Sequence, residues 1–516
     1  MPSNLAYLAL YLWPLVVIAL FRKRPLDEAL AWSIIAGYML LPLFTAFDLP
    51  MLPGWSKQLV PSLFAAIMCY WLTLSARQAA PVRVPAGRQV KRQGPDNTPR
   101  EFKVRRGRIL YWSLIILLFA SPIITTLTNG DSIKIGDTFK SGMRLYDGLS
   151  LDLDLLVSVL PFFLARRFLA TNESHVVLLT VFVLAALAYS LLALWEVRMS
   201  PQLNKQIYGF STGSFRHQVR YGGFRPVLFL YHGIWVAILF AMASIAAMSL
   251  WREKLGKAES SRWLMAGLWL CLIVILCKTA TAFVVVALLL PTIFFFSVRL
   301  QLLMAAAISI TVLLFPMLRG ADLVPTDRIY STVAKIDPNR AGSLETRFEN
   351  EDLLLARANK KPLAGWGSWG RNRVRNEKGQ DVSITDGYWV IVVGVYGWLG
   401  YIAQFGLLGI STIFLAFNRD RLNLTPATAG LCLVMAGALI NLIPNASISP
   451  IIWLVAGALM GRYQTAEVTV KQRNLRATRV EECSSEDAPK SYPVTARRQE
   501  SDESKRPLHI RQPRKG

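Results

Sequence analysis

Residues 280–298 read ATAFVVVALLLPTIFFFSV, nineteen consecutive positions without a charged side chain. As an α-helix such a stretch spans about 30 Å, the thickness of a bilayer's hydrocarbon core. It is too long for a buried strand. Comparable uncharged blocks occur at Leu5–Phe21, Ile109–Thr126 and Val176–Leu194. Lipid offers backbone groups no hydrogen-bond partner, so repeated blocks of this kind predict an all-α, polytopic membrane bundle.

Composition agrees with that reading. Of 516 residues, 53% are hydrophobic and 17% charged, and 57 Lys+Arg against 33 Asp+Glu leave a formal net charge of +24. An ordinary soluble enzyme is excluded. In a soluble chain the basic excess would suggest a nucleic-acid partner; among membrane spans it is first a statement about topology, and no nucleic acid is expected. Cys69, Cys271, Cys277, Cys432 and Cys483 show neither a disulfide framework nor zinc spacing, and no metal site is expected. Leu5–Phe21 has no basic residue before it and no small-residue cleavage site after it, so it is expected to be a retained span.

About thirteen spans are expected, near residues 5–21, 28–45, 58–76, 109–128, 149–165, 176–194, 227–250, 263–277, 280–298, 301–318, 387–417, 426–445 and 448–461. Placing the N-terminus outside and the C-terminus in the cytoplasm puts 35 of the 57 basic residues inside, among them the ten in the 77–108 loop. The inverse orientation would translocate that loop, against the positive-inside rule. The expected organisation is therefore a bundle over 1–461, with a basic cytoplasmic loop at 77–108 and outer loops at 195–225 and 319–385. Residues 77–108 and 462–516 are polar and Pro-containing. Both are expected to be disordered, the second as a cytoplasmic tail.

The remaining 22 basic residues fall outside, 17 of them in the two outer loops, where a topology rule predicts few. Loops of this length tend to carry function or to be disordered. In the first, Arg216, Arg220 and Arg225 stand within ten residues of one another, just before Pro226 and an expected helix that holds His232 in its second turn. Guanidinium groups are planar, permanently charged and bidentate toward phosphate, although a single arginine at this level is as often a lipid-headgroup contact. His232 is either a base or a polar packing contact. In the second loop, Thr346 to Ala358 reads as a short interfacial helix that turns Arg347 and Arg357 toward the bundle. Asp386 opens the next span, as a helix cap or as a general base on a hydroxyl.

Two short motifs fail their context tests. Gly365, Gly367 and Gly370 spell GxGxxG, but no strand precedes them and no helix N-terminus follows. Asp152-Leu153-Asp154 spells DxD, but i and i+2 do not share a helical face; a polar role at a helix end is expected. Gly394, Gly397, Gly400 and Gly406 read as close helix-packing positions.

In the order of its elements the chain resembles the bacterial O-antigen ligase and polysaccharide polymerase superfamily. Arg225-Pro226 enters a middle span, and Lys278–Ala282 (KTATA) turns between two later spans. A large loop then carries Arg347-Phe348 and KKPLAGWGSWG, followed by a polar residue opening a helix with Gly-x-x-Gly. The resemblance covers roughly residues 190–410. It implies a metal-independent, cofactor-free glycosyltransferase of the inner membrane. Such an enzyme moves a glycan from undecaprenyl pyrophosphate to an acceptor hydroxyl on the periplasmic face, with inversion. Arg225 and Arg347 match the family's phosphate-binding arginines, with Arg216, Arg220 and Arg357 as further candidates. Asp386 stands where ligases commonly place a histidine, so the base is left among Asp386, His232 and Glu196. Polymerisation is the leading expectation and ligation the alternative. The expected partners are the lipid-linked glycan, the bilayer and other polysaccharide assembly and export proteins. From other classes, a glycolipid flippase or transporter and a secretion scaffold remain open.

Overall fold

The computed structural model describes residues 2–46, 53–79, 99–213, 215–220, 222–336 and 338–465. Thus the expected disorder of the tail beyond residue 465 and of loop residues 80–98 lies outside the described residues. The protein is an all-α membrane protein. Its helices are α1 (Asn4–Lys23), α2 (Leu26–Leu40), α3 (Leu59–Ala79), α4 (Pro99–Leu127), α5 (Leu145–Phe168), α6 (Asn172–Met199), α7 (Leu203–Tyr208), α8 (Gly233–Glu253), α9 (Ser260–Leu276), α10 (Ala280–Phe295), α11 (Val298–Gly320), α12 (Thr326–Ile336), α13 (Pro338–Ala358), α14 (Tyr388–Phe417), α15 (Arg419–Leu422) and α16 (Pro426–Leu442). A further helix, α17, occupies 450–465. The only strands among the described residues form two small hairpins, β1 (Ile133–Ile135) with β2 (Thr138–Lys140), and β3 (Val219–Arg220) with β4 (Gly223–Phe224).

Each apolar block of the sequence overlaps one helix. Seven of these helices are long and apolar enough to cross a membrane, and four are shorter apolar helices. Their ends carry the expected chemistry. Ser3, Thr171, Ser297 and Thr425 cap α1, α6, α11 and α16 through side-chain oxygens, satisfying amides that helix starts leave without partners. Arg22 and Lys23 close α1, and Arg166 and Arg167 close α5, where the helix dipole favours cations.

Several boundaries differ from expectation. Helix α3 runs to Ala79 and α4 begins at Pro99, so both ends of the 77–108 loop are helical. Helix α8 starts at Gly233, which leaves 226–232 as irregular backbone inside the bundle. Asp152 and Asp154 lie two turns or more inside α5, not at its end. The short helix expected over 346–358 is a longer one beginning at Pro338, preceded by amphipathic α12.

Packing sorts the connections onto two ends. Antiparallel α8 and α16 place Gly430 against Ser249 and Gly437 against Ile245. Antiparallel α11 and α14 place Ser309 against Thr412 and Phe315 against Trp389. Hence the start of α8, the α9–α10 turn, the end of α11, the start of α14 and the end of α16 share one end with the long loops. At the opposite end, Arg462 bonds Asn172 and the Leu422 carbonyl, Arg166 bonds Gln464, and Arg299 pairs with Asp420. Among the described residues, Arg166, Arg299 and Arg462 thus lie at one end, and both arginine-bearing loops at the other.

Candidate functional site

The loop-bearing end is built on two pieces of irregular backbone held within the bundle. The first is 226–232. Because residues 226–230 are buried, their backbone amides and carbonyls need partners other than water. They find them on α6 and just ahead of α3. Glu196, 1% exposed near the end of α6, accepts from the amides of Val227 at 2.7 Å, Leu228 at 2.8 Å and Leu203 at 3.0 Å. Tyr189 accepts from the Phe229 amide at 3.2 Å. Lys57, buried just ahead of α3, donates to the Phe229 carbonyl at 2.8 Å and faces the Tyr38 ring. Burial pushes the Lys57 ammonium pKa down to about 7.

Arg225 and His232 frame this segment. The Arg225 side chain is buried, with its Cγ and Cδ where a Cβ on Gly233 would stand; any larger residue there would expel it. His232 is the N-cap of α8 rather than a second-turn residue, and its Nδ1 accepts from the Ile234 amide at 3.2 Å. Arg220 is exposed on β3, and its carbonyl receives the Lys278 ammonium at 3.0 Å. Lys278, with a left-handed φ of 51° in the α9–α10 turn, also packs its Nζ over Gly223. The fold thereby brings Arg220, Arg225, Lys278 and His232 to one region. The side chain of Arg216, in the 3-10 turn Phe215–Gln218, lies outside the described residues.

The second irregular element is a break in α14 at Gly397, where φ is 67° and ψ is −167°. Residues 362–367 fill it. The Trp398 and Leu399 amides donate to the Pro362 and Leu363 carbonyls at 2.7 and 3.3 Å, while the Trp366 and Gly367 amides donate to Gly394 and Val395 at 2.9 and 3.0 Å. All four groups freed by the break are satisfied, as burial demands. This explains the glycines of GWGSWG. A Cβ on Gly365 would stand 2.5 Å from the Val395 carbonyl oxygen, and Gly365, Gly367 and Gly370 all take positive φ. Gly397 is therefore a chain break rather than a simple packing position.

Two arginines in the large loop serve this architecture. Arg371, 3% exposed, donates to the carbonyls of Trp366, Ser141, Asn129 and Asp131, tying the loop to the segment after α4. Arg357 lies over the Trp366 ring with its guanidinium carbon 4.0 Å from the centroid, and donates to the Arg371 carbonyl at 2.9 Å.

Arg347 is different. Its Nε lies 3.1 Å from a carboxylate oxygen of Asp386, both side chains being about one-third exposed. Asp386 precedes the N-cap Gly387 and so stands just outside α14 rather than opening it. One turn further along α13, Glu351 is buried, with its carboxylate 4.0 Å from Arg319 Nε; Arg319 also bonds Asp352 at 2.7 Å. The sequence did not single out Arg319, Glu351 or Lys57, and it marked Lys278 as part of a turn motif and not as a site residue. The i, i+4 spacing of Arg347 and Glu351 was the available signal for one of them.

Of the three bases proposed from sequence, Glu196 is occupied by three backbone amides and is a fastening, while His232 and Asp386 sit at the loop-bearing end. Among the described residues no group of three or more His, Cys, Asp or Glu is arranged to hold a metal ion. No protein-family model matches the chain, and no curated protein matches it.

Proposed function

We propose that the protein is a polysaccharide polymerase of the bacterial inner membrane. In this reading it transfers a glycan from undecaprenyl pyrophosphate to an acceptor sugar hydroxyl on the periplasmic face. The observation that carries the reading is the Arg347–Asp386 pair, at the same end of the bundle as Arg220, Arg225 and Lys278. A lipid-linked pyrophosphate presents its charge at headgroup level, and in this reading the loop-bearing end of the bundle stands there. The donor already carries its leaving group, so the protein's tasks are to hold pyrophosphate as charge develops on it and to take one proton from the acceptor. Preorganised cations do the first; removing one such donor typically costs about 3–4 kcal/mol of transition-state stabilisation. The reading orients the loop-bearing end outward, with Arg166, Arg299 and Arg462 at the opposite, cytoplasmic end. Ligation of the glycan to another acceptor uses the same chemistry and is the alternative within this class.

A second reading is a carrier for the lipid-linked glycan, favoured by the break in α14, since transporters build their sites on discontinuous helices. Against it, the broken helix bonds the chain's own residues 362–367. Arg225→Ala and Arg347→Ala are expected to abolish polymer while leaving protein abundance and lipid-linked repeat units intact. Full-length polymer from both variants would defeat the transferase reading. Repeat units confined to the cytoplasmic face of a deletion strain would favour the carrier.

A further inference from the structure

We propose that Glu351 is the residue that accepts the proton of the acceptor hydroxyl, while Asp386 holds Arg347 in place. The inference rests on the transferase reading above and deepens it by assigning the base.

Five ionisable side chains meet where α13 crosses the end of α11 and the start of α14. Arg319 comes from α11, Arg347, Glu351 and Asp352 from α13, and Asp386 from the segment before α14; Trp389 of α14 lies beside Glu351. The two candidate carboxylates sit in different surroundings. Asp386 is in direct contact with Arg347 at 3.1 Å and is 39% exposed. Glu351 is 9% exposed by its side chain, and its cation is shared. Arg319 makes the short bond, 2.7 Å, to the exposed Asp352 and leaves Glu351 at 4.0 Å. A general base needs a carboxylate that no direct ion pair neutralises and whose proton affinity suits neutral pH. Two carboxylates whose environments divide them in this way mark different roles. Burial pushes Glu351 up to about 7, against opposing contributions from Arg319, Trp389 and Arg347 and with one from Asp352 in the same direction.

Spacing places the two groups side by side. Glu351 follows Arg347 by four residues, one helical turn, so their Cβ atoms lie on the same face of α13 roughly 6 Å apart. With inversion the acceptor oxygen attacks the anomeric carbon opposite the pyrophosphate, so the two long side chains reach to either side of that carbon. In the step, the acceptor O–H gives its proton to Glu351 as the oxygen lone pair forms the new bond to the anomeric carbon. The bond from that carbon to the pyrophosphate oxygen breaks, and its electron pair leaves with the pyrophosphate, whose charge Arg347 stabilises. Glu351 then returns its proton to water. Donor and acceptor together complete the balance.

The test uses the full-length chain in lipid vesicles with a polyprenyl-pyrophosphate-linked oligosaccharide as donor, and follows initial rate against pH from about 5.5 to 8.5. Wild type is expected to lose about tenfold per pH unit below a break near 7. Glu351→Gln should slow transfer by about 100-fold or more and remove that acid limb, while donor binding is retained. Asp352→Asn, on an exposed side chain, should move the break to lower pH, because Arg319 then turns wholly to Glu351. A Glu351→Gln enzyme that keeps the limb, whatever its rate, overturns the proposal. If that variant folds poorly, an unmoved break in Asp352→Asn overturns it instead. Full-length polymer from both Arg225→Ala and Arg347→Ala would instead remove the transferase reading itself, so the two failures are distinguishable.

Discussion

Arg347 Nε and a carboxylate oxygen of Asp386 stand 3.1 Å apart, an ion pair that joins the middle of α13 to the residue two before the start of α14. Both side chains are partly open to solvent, where such a pair contributes about 1 kcal/mol or less to stability. A purely structural pair at this exposure would be dispensable. Arg347→Ala and Asp386→Asn should therefore each shift the melting midpoint in detergent only slightly, while lowering glycan transfer by about 100-fold for the arginine. Equal, small losses of both properties would make the pair ornamental.

Glu196 should behave in the opposite way. Its carboxylate is the acceptor for the amides of Leu203, Val227 and Leu228, and leaving buried donors without partners costs about 1–3 kcal/mol each. Glu196→Ala is expected to cut abundance and thermal stability sharply, by about 3 kcal/mol or more. Normal folding with selective loss of transfer would return Glu196 to the list of bases.

Gly397 tests the broken helix. Its φ of 67° with ψ of −167° is accessible to glycine and very little else, and an added Cβ would lie 2.3 Å from the Leu363 carbonyl oxygen. Gly397→Ala should destabilise the protein by about 2 kcal/mol or more. It should also increase proteolysis within 360–370, as the loop loses its docking bonds. An unchanged melting curve would mean that α14 runs through this point without a break.

Lys57 gives a pH signature. Its ammonium pKa is lowered from an ordinary 10.5 to about 7 by burial. Between those values the unfolded chain binds a proton that the folded chain does not, so stability rises with pH across this window. Below about 7 both states are charged and the dependence vanishes. The melting midpoint of wild type should accordingly gain on going from pH 7 toward 10 relative to Lys57→Met, in which this contribution is absent. Parallel pH curves for the two proteins would place the amine in water.

The two ends of the bundle can be told apart by labelling. Lys360 is exposed in the large loop and Lys257 is exposed in the α8–α9 connection at the opposite end. In a background lacking reactive native cysteines, Lys360→Cys should react with an impermeant thiol reagent on intact spheroplasts, and Lys257→Cys only after permeabilisation. The reverse pattern would invert the orientation.

Much of the fold was legible because lipid imposes a simple rule: every uncharged block long enough to matter overlaps a helix. The irregular pieces were not. Val227-Leu228-Phe229-Leu230 is as apolar as the helix that follows it, and periodicity cannot tell a short buried run of this kind from a helical turn. What holds it as a turn, with Leu228 at a φ of 53° and the Leu230 amide on the Val227 carbonyl, is Glu196, Tyr189 and Lys57, remote in sequence. The break at Gly397 was hidden for a related reason, since glycine in a membrane helix is common at packing contacts. At the site, Arg225, Arg347 and Asp386 stood out as charges beside apolar blocks. Glu351 did not, because it is one of eight charged residues from Glu345 to Lys361, and only the tertiary fold distinguishes the buried one.

The most direct test is reconstitution. Purified protein in vesicles, given a polyprenyl-pyrophosphate-linked repeat unit as sole substrate, is assayed for glycan chain length and for released polyprenyl pyrophosphate. The account predicts chains of two or more repeats, one polyprenyl pyrophosphate released for each linkage formed, and loss of both products in Arg347→Ala. Donor that crosses the bilayer without any release of polyprenyl pyrophosphate would contradict it.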